Sequence, residues 1–430
     1  MFRGYGRNGV LSYEVQCAIY EVGSAEHPAL ALQAFRRNKS ILEDWRILYA
    51  TSEDTGSFKL RRDQFSDQGF VSSIFKGKSL FVLDKDSISS SRPSEFKMGF
   101  ATYVDSNTAS FIESLAYNEK PNEKTLEFCG DLSRSIALDE LSRINPYLYL
   151  YEAQRNKSEK HVLAVRRTIA AILAIPLIQQ NLDVEWGNKF RSLYQQEAEG
   201  RADKLLAEFY RRMDYTSEAL ERQVDLMEAL LVRALIINLS SKRSAESKFE
   251  ELLNFMHDEI HTMMIREMII CCDIFFREGR SQITNKLNSL ADRKNPFSVL
   301  RGCAQDIFFA RAMDDLSNTN LDPSHGCFYV ANIITFDKDL SDILKITALR
   351  ALGISRKTTQ VVSVYDSPVE TWMQTHLSSN RLDRIQHIFT EDAHKLRAAK
   401  RDRGIIEEVL KNDRARLAEL LALKKSEKRI

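Results

Sequence analysis

Apolar and polar positions follow two different rhythms along the chain, and the change of rhythm divides it. From about residue 79 to 155, and again from 296 to 368, short apolar runs end at polar or acidic residues and lead into helical spacing. That pattern predicts strands interleaved with helices. Ser79 to Leu83 is one such run, ending at Asp84 and Asp86. Phe100 to Val104 is another, and Asp105 follows it directly; Ser106, Asn107 and Thr108 come next, then Ala109, Phe111, Ile112 and Leu115 at helical spacing. Asp105 therefore reads in two ways, as a helix cap and as an acid at the strand end where open α/β sheets carry their chemistry.

Ahead of residue 79 the pattern is mixed. Ser12 to Val22 alternates weakly like a strand, and Ala29 to Tyr49 has helical spacing through Leu30, Leu32, Phe35, Ile41, Trp45 and Leu48. Thr125 to Arg143 is helical, and Asn145-Pro146 opens a further helix that carries Glu152 two turns along. Between 156 and 295 the rhythm is helical throughout: His161 to Leu177, Lys189 to Met213, Ser217 to Leu239 and Ala245 to Phe276. Four or more helices are expected there, with no fixed-period repeat. Past Asn295-Pro296, Phe297 to Leu316 reads as a helix bearing Asp306 near its start, and an apolar stretch from Cys327 to Phe336 delivers Asp337, with Asp339 two residues on. A helix over Ile343 to Leu352 and a strand over Thr358 to Tyr365 follow. The segments SISSSRPSE and SNTNLDPSHG read as polar connectors.

The expected architecture is α/β with a discontinuous domain. Residues 1–78 form a mixed N-terminal extension, 79–155 and 296–368 two parts of one α/β domain, 156–295 a helical insertion, and 369–430 a charged helical tail. A tail of that composition is expected to be solvated or to face a partner.

Composition changes this picture little. The 430 residues carry 61 basic and 60 acidic side chains, a balance that argues against polyanion binding by the chain as a whole. Six scattered cysteines, Cys17, Cys129, Cys271, Cys272, Cys303 and Cys327, include no C-x-x-C pair, so neither a zinc ribbon nor a disulfide framework is expected. No apolar run follows the first basic residues, and the apolar stretch Val162 to Ile178 is interrupted by Arg166 and Arg167 and carries Pro176. The expectation is a cytoplasmic protein without a membrane span.

Four acids then stand out by order and setting: Asp105 in VDSNTASFI, Glu152 in NPYLYLYEAQR, Asp306 in DIFFARAMDD and Asp337 in IITFDKDL. In that order and context the chain resembles the PIN-domain nuclease family. The two blocks that carry the resemblance, about 97–155 and 297–366, cover less than a third of the chain. What the resemblance implies is a compact parallel-sheet domain, ending near QVVSVY, that gathers these acids at one edge. It implies metal-dependent cleavage of nucleic acid, RNA before DNA. Asp105, Asp306 and Asp337 would bind Mg²⁺ or Mn²⁺, Glu152 would do so directly or through water, and Asp339 would be an extra ligand. A place in a toxin or defence system goes with it. Oxygen ligands suit such hard cations. Asp84 and Asp86 compete with Asp105 for the first position, and Asp139 and Glu140 compete with Glu152. Arg301, Arg311 and Lys338 lie near the acids in sequence, where they would meet phosphates or serve as ordinary surface charges.

Two other classes stay in view. His257 and His261 share a helical face, but Asp258 stands where a metalloprotease helix needs Glu. With His161 and Asp273, the His257-Asp258 doublet also has the composition of a helical His-Asp metal phosphohydrolase. The plainer reading is an amphipathic helix packed through Phe255, Met256, Met263, Met264 and Met268. A third possibility is a non-catalytic scaffold that binds proteins through the helical insertion or tail. No Walker loop, dinucleotide G-x-G-x-x-G or G-x-S-x-G elbow is present, so ATPase, dehydrogenase and α/β-hydrolase readings have no motif support.

Overall fold

A computed structural model describes residues 11–67, 69–89, 98–154, 156, 158–213, 217–276, 282–317, 328–358, 360–366 and 369–427. Most of both polar connectors, 90–95 and 318–326, lies outside the described residues, as do Arg155 and Cys327. The protein is mixed α/β and predominantly helical.

The strands among the described residues are β1 (Trp45–Thr51), β2 (Phe58–Lys59), β3 (Arg62–Gln64), β4 (Phe70–Ser73), β5 (Ser79–Leu83), β6 (Met98–Val104), β7 (Ile144–Asn145), β8 (Phe328–Thr335), β9 (Leu349–Ser355) and β10 (Val361–Tyr365). They form two sheets, ordered β10-β9-β1-β5-β2 and β3-β4-β8-β6-β7. The first is antiparallel throughout. In the second, β3, β4 and β8 run antiparallel, whereas β8, β6 and β7 are parallel.

That topology corrects several expectations. Ser12 to Val22 is not a strand but lies in helix Tyr13–Gly23, with Ala18, Ile19 and Val22 buried on one side. The helix expected over Ala29 to Tyr49 stops at Arg37, and Trp45–Thr51 becomes β1, buried at every position. A strand covered on both faces shows no alternation, so its apolar residues matched a helical period by accident. The same holds for Leu349–Ser355: helix Lys338–Ile346 ends and β9 begins three residues later, replacing the helix expected over Ile343 to Leu352. β10 does not close the sheet that holds the acids; it pairs antiparallel with β9 in the other one. Residues 45–51, expected in an N-terminal extension, lie between β5 and β9 at the centre of the first sheet.

Helices account for most of the described residues between 159 and 292, as the pattern predicts, but Ala245 to Phe276 is not continuous. Helix Ala245–Asn254 passes through a π turn at Phe255–Glu259 and stops, and Ile265–Phe276 starts anew. His261 takes the left-handed conformation at φ 48°. There the Thr262 N–H donates to the Met256 carbonyl at 2.9 Å, closing the helix end in the manner usually given to glycine.

The tail is not solvated all round. Helix Arg403–Glu427 packs along Ser217–Ser240, burying Leu410, Leu417 and Leu421. Arg233 Nε donates to Asp413 at 2.7 Å, and Arg414 pairs with the buried Glu228. Helix Glu159–Ile178 is the one among the described residues with the length and hydropathy of a membrane span. It packs on Ser106–Tyr117 and Gln195–Met213, and Arg166 reaches Glu199 at 2.7 Å and Asp203 at 2.6 Å. Its apolar face thus contributes to the interior of the helical layer.

Candidate metal centre

The parallel strands set up the site. β6 and β8 pair in register, with Val104 opposite Ile334, so the next residues, Asp105 and Thr335, lie side by side at the carboxyl ends of the two strands. From β6 the chain moves out to β7 on one side and returns to β8 on the other. The carboxyl ends of β6 and β8 therefore flank the point where strand order reverses, the usual place for a ligand crevice in such sheets.

Asp105 caps helix Ser106–Tyr117: Oδ1 accepts the Thr108 N–H at 2.7 Å. Its other oxygen, Oδ2, accepts the Thr335 hydroxyl at 2.5 Å. Asp337 caps Lys338–Ile346 in turn, Oδ1 accepting the Asp339 N–H at 2.8 Å. Capping and site formation are thus compatible, because each carboxylate uses one oxygen to start its helix. Anchorage beneath is apolar: Val104, Ile112, Leu115, Ile333, Ile334 and Ile343 are all fully buried. Each such side chain stabilises the fold by roughly 1.5–3 kcal/mol.

Asp306 enters from helix Pro296–Leu316, which packs on both β8 and Lys338–Ile346. It lies in the middle of that helix rather than near its start. Asp306, Asp337 and Asp339 each place one carboxylate oxygen within 4.8 Å of the others. Asp105 is not one of this close set, but its charge acts on it. Burial, then the charges of Asp337, Glu152 and Asp105, push the Asp306 carboxyl well above its ordinary range, against an opposing pull from Lys286. Asp105 is also raised, chiefly by burial and slightly by Asp337, although its hydrogen bonds to Thr108 and Thr335 favour the charged form. Glu152, on helix Tyr147–Ala153, accepts a hydrogen bond from the Ser106 hydroxyl. Beside it, Tyr151, Gln154, Gln305 and Phe308 line a 10 Å³ pocket, space for about one water.

Lys286 and Thr335 complete the site, and sequence reasoning assigned neither. Lys286, from helix Gln282–Asn288 of the insertion, pairs with Asp339, whose side chain is fully buried. Beyond that ion pair, neither Asp339 oxygen has a hydrogen-bond partner among the described residues. Three carboxylates at this spacing, one of them buried with unfilled acceptor capacity, could hold a metal ion.

The competing acids are engaged elsewhere. Asp84 takes the Arg46 guanidinium at 3.0 Å in the other sheet, and Asp86 pairs with Arg356 at 2.9 Å. Glu140 pairs with Arg61, and Asp139 lies 3.7 Å from Arg143. Arg301 is bound to Glu221, Asp225 and Glu228, and Arg311 to Glu267, so both are tied to acids of the helical insertion. Lys338 is exposed.

The His-Asp set does not assemble. His257 is buried against Arg397, His161 Nε2 lies 2.8 Å from the Ala153 carbonyl oxygen, and Asp273 takes the Thr284 hydroxyl at 2.5 Å. No protein-family model matches the chain, and no curated protein or solved structure matches it.

Proposed function

We propose that the protein is a metal-dependent nuclease that cleaves phosphodiester bonds, RNA before DNA, in the cytoplasm. The observation that carries this reading is the convergence of Asp306, Asp337 and Asp339 within 4.8 Å beside the carboxyl ends of two parallel strands. Those three would hold Mg²⁺ or Mn²⁺, with Asp105 and Glu152 completing the negative field. When bound, such an ion stabilises charge on a phosphate oxygen and makes a bound water acidic.

The chain's own residues orient this chemistry. Thr335 and Thr108 fix both oxygens of Asp105. Ser106 fixes Glu152 in the lining of the adjoining pocket, where its carboxylate is suited to accept a proton from an attacking water. A PIN-like core is supported by the β7-β6-β8 parallel arrangement and the order of the acids; the antiparallel β3-β4 edge and the placement of β10 depart from it. A role in a toxin or defence system remains part of that proposal.

One observation favours a second reading, a non-catalytic scaffold: the Lys286 ammonium already neutralises Asp339. Incubating labelled single-stranded RNA and DNA with the protein and Mn²⁺ or Mg²⁺, beside an Asp105→Asn/Asp337→Asn variant, separates the two. Metal-dependent cleavage lost in a folded variant supports the nuclease. Equal inertness across metals and substrates supports the scaffold.

A further inference from the structure

Lys286 is delivered to the site by the helical insertion, on a short helix anchored by its surroundings. Ile283, Thr284 and Leu287 of its short helix are buried, and the Thr284 hydroxyl donates to Asp273 at 2.5 Å. The Gln282 N–H donates to Asp342 at 3.1 Å, tying the same helix to the one that carries Asp339. Its partner is unusual: Asp339 has no exposed side-chain surface and no hydrogen bond to either oxygen among the described residues. An ionised carboxylate buried in that way requires a cation.

Two kinds of cation satisfy the requirement, an ammonium or a metal ion. Both draw on Asp339 oxygens, and Asp339 also belongs to the three-carboxylate set. A single oxygen pair cannot coordinate a divalent ion and retain a full ion pair with an ammonium at the same time without mutual repulsion. The lysine is also built to leave, since its side chain is 42% exposed and ends a flexible four-carbon stem.

We infer that Lys286 is a resident counter-cation of the acidic centre, holding Asp339 in the metal-free protein and competing with the divalent cation for it. Lys286 is thus a positioning residue that acts through Asp339. This rests on the metal-binding reading above and adds to it a role for the helical insertion: it sets the metal concentration at which the site fills. The insertion keeps the metal-free acids from repelling one another and raises the threshold for loading.

Mn²⁺ binding measured by calorimetry on the full chain tests this without reference to cleavage. Lys286→Met is expected to bind Mn²⁺ more tightly, on the order of tenfold, while Lys286→Arg, which keeps the charge, stays near the parent affinity. Lys286→Gln supplies a second neutral variant should Lys286→Met fail to fold. Equal affinity in parent and neutral variants overturns the competition and leaves the metal site standing, and weaker binding in the neutral variants overturns it too. Absence of binding in every protein removes the metal site and the inference together.

Discussion

The Thr335 hydroxyl donates to Asp105 Oδ2 at 2.5 Å across 230 positions of sequence, and Thr335 Oγ1 itself accepts the Asp337 N–H at 2.8 Å. One side chain thereby ties the acid after β6 to the turn that carries the acid after β8. It also explains how 156–295 can be inserted without loosening the site. The register between two parallel strands, and a hydroxyl at its end, fixes the acids on both sides of the insertion.

Thr335→Val keeps the shape and removes the hydroxyl. Outer partners of this kind typically govern metal affinity by about 10–100-fold. Thr335→Val is therefore expected to weaken Mn²⁺ binding within that range while melting within a few degrees of the parent, and Thr335→Ser to retain affinity. Calorimetry with parallel thermal unfolding checks both.

Much of this centre was legible in the chain. Asp105 and Asp337 follow apolar runs that became β6 and β8, and Asp306 and Glu152 sit on the helices expected for them. Asp339 was marked from the sequence only as an extra acid beside Asp337, and the structure places one of its carboxylate oxygens within 4.8 Å of those of Asp306 and Asp337. Thr335 lies within IITFDKDL, yet a threonine two residues before an acid is common and carries no signal alone. Lys286 had none: its sequence neighbours are those of any surface turn of helix, and only packing brings it to Asp339. The sheet arrangement was the least legible, because β1 and β9 are buried on both faces and look helical by period, and nothing local says that β10 turns back antiparallel onto β9.

A buried charge pair joins the insertion to the sheets. Arg266 Nη2 donates to both Asp314 oxygens at 3.1 and 3.0 Å, and the Ser363 hydroxyl on β10 donates to the same carboxylate at 2.7 Å. Arg266 and Asp314 are almost fully buried. Asp314→Asn leaves a buried guanidinium without its counter-charge and is expected to cost about 3–5 kcal/mol. Arg266→Met with Asp314→Leu should recover most of that loss. Urea unfolding of the single and double variants provides the comparison.

His257 supplies a pH dependence. Its Nδ1 faces the Arg397 guanidinium at 2.9 Å, so the ring is held neutral there. Burial, then the charges of Arg397, His387 and His261, keep its pKa below the ordinary histidine value despite the nearby Asp258. As pH falls below about 6.5, the unfolded chain takes up a proton that the folded ring resists, so stability drops until the folded ring also protonates. His257→Gln is expected to flatten stability against pH over that acidic window and to leave it unchanged above. Urea midpoints across the window for parent and variant show whether the slope belongs to His257.

The most direct measurement on the central claim is anomalous diffraction from crystals of the protein grown with Mn²⁺. One strong peak is expected among the carboxylates of Asp306, Asp337 and Asp339, with the Lys286 ammonium withdrawn from Asp339. A structure with no peak there at saturating Mn²⁺, and with Lys286 still seated on Asp339, would contradict it.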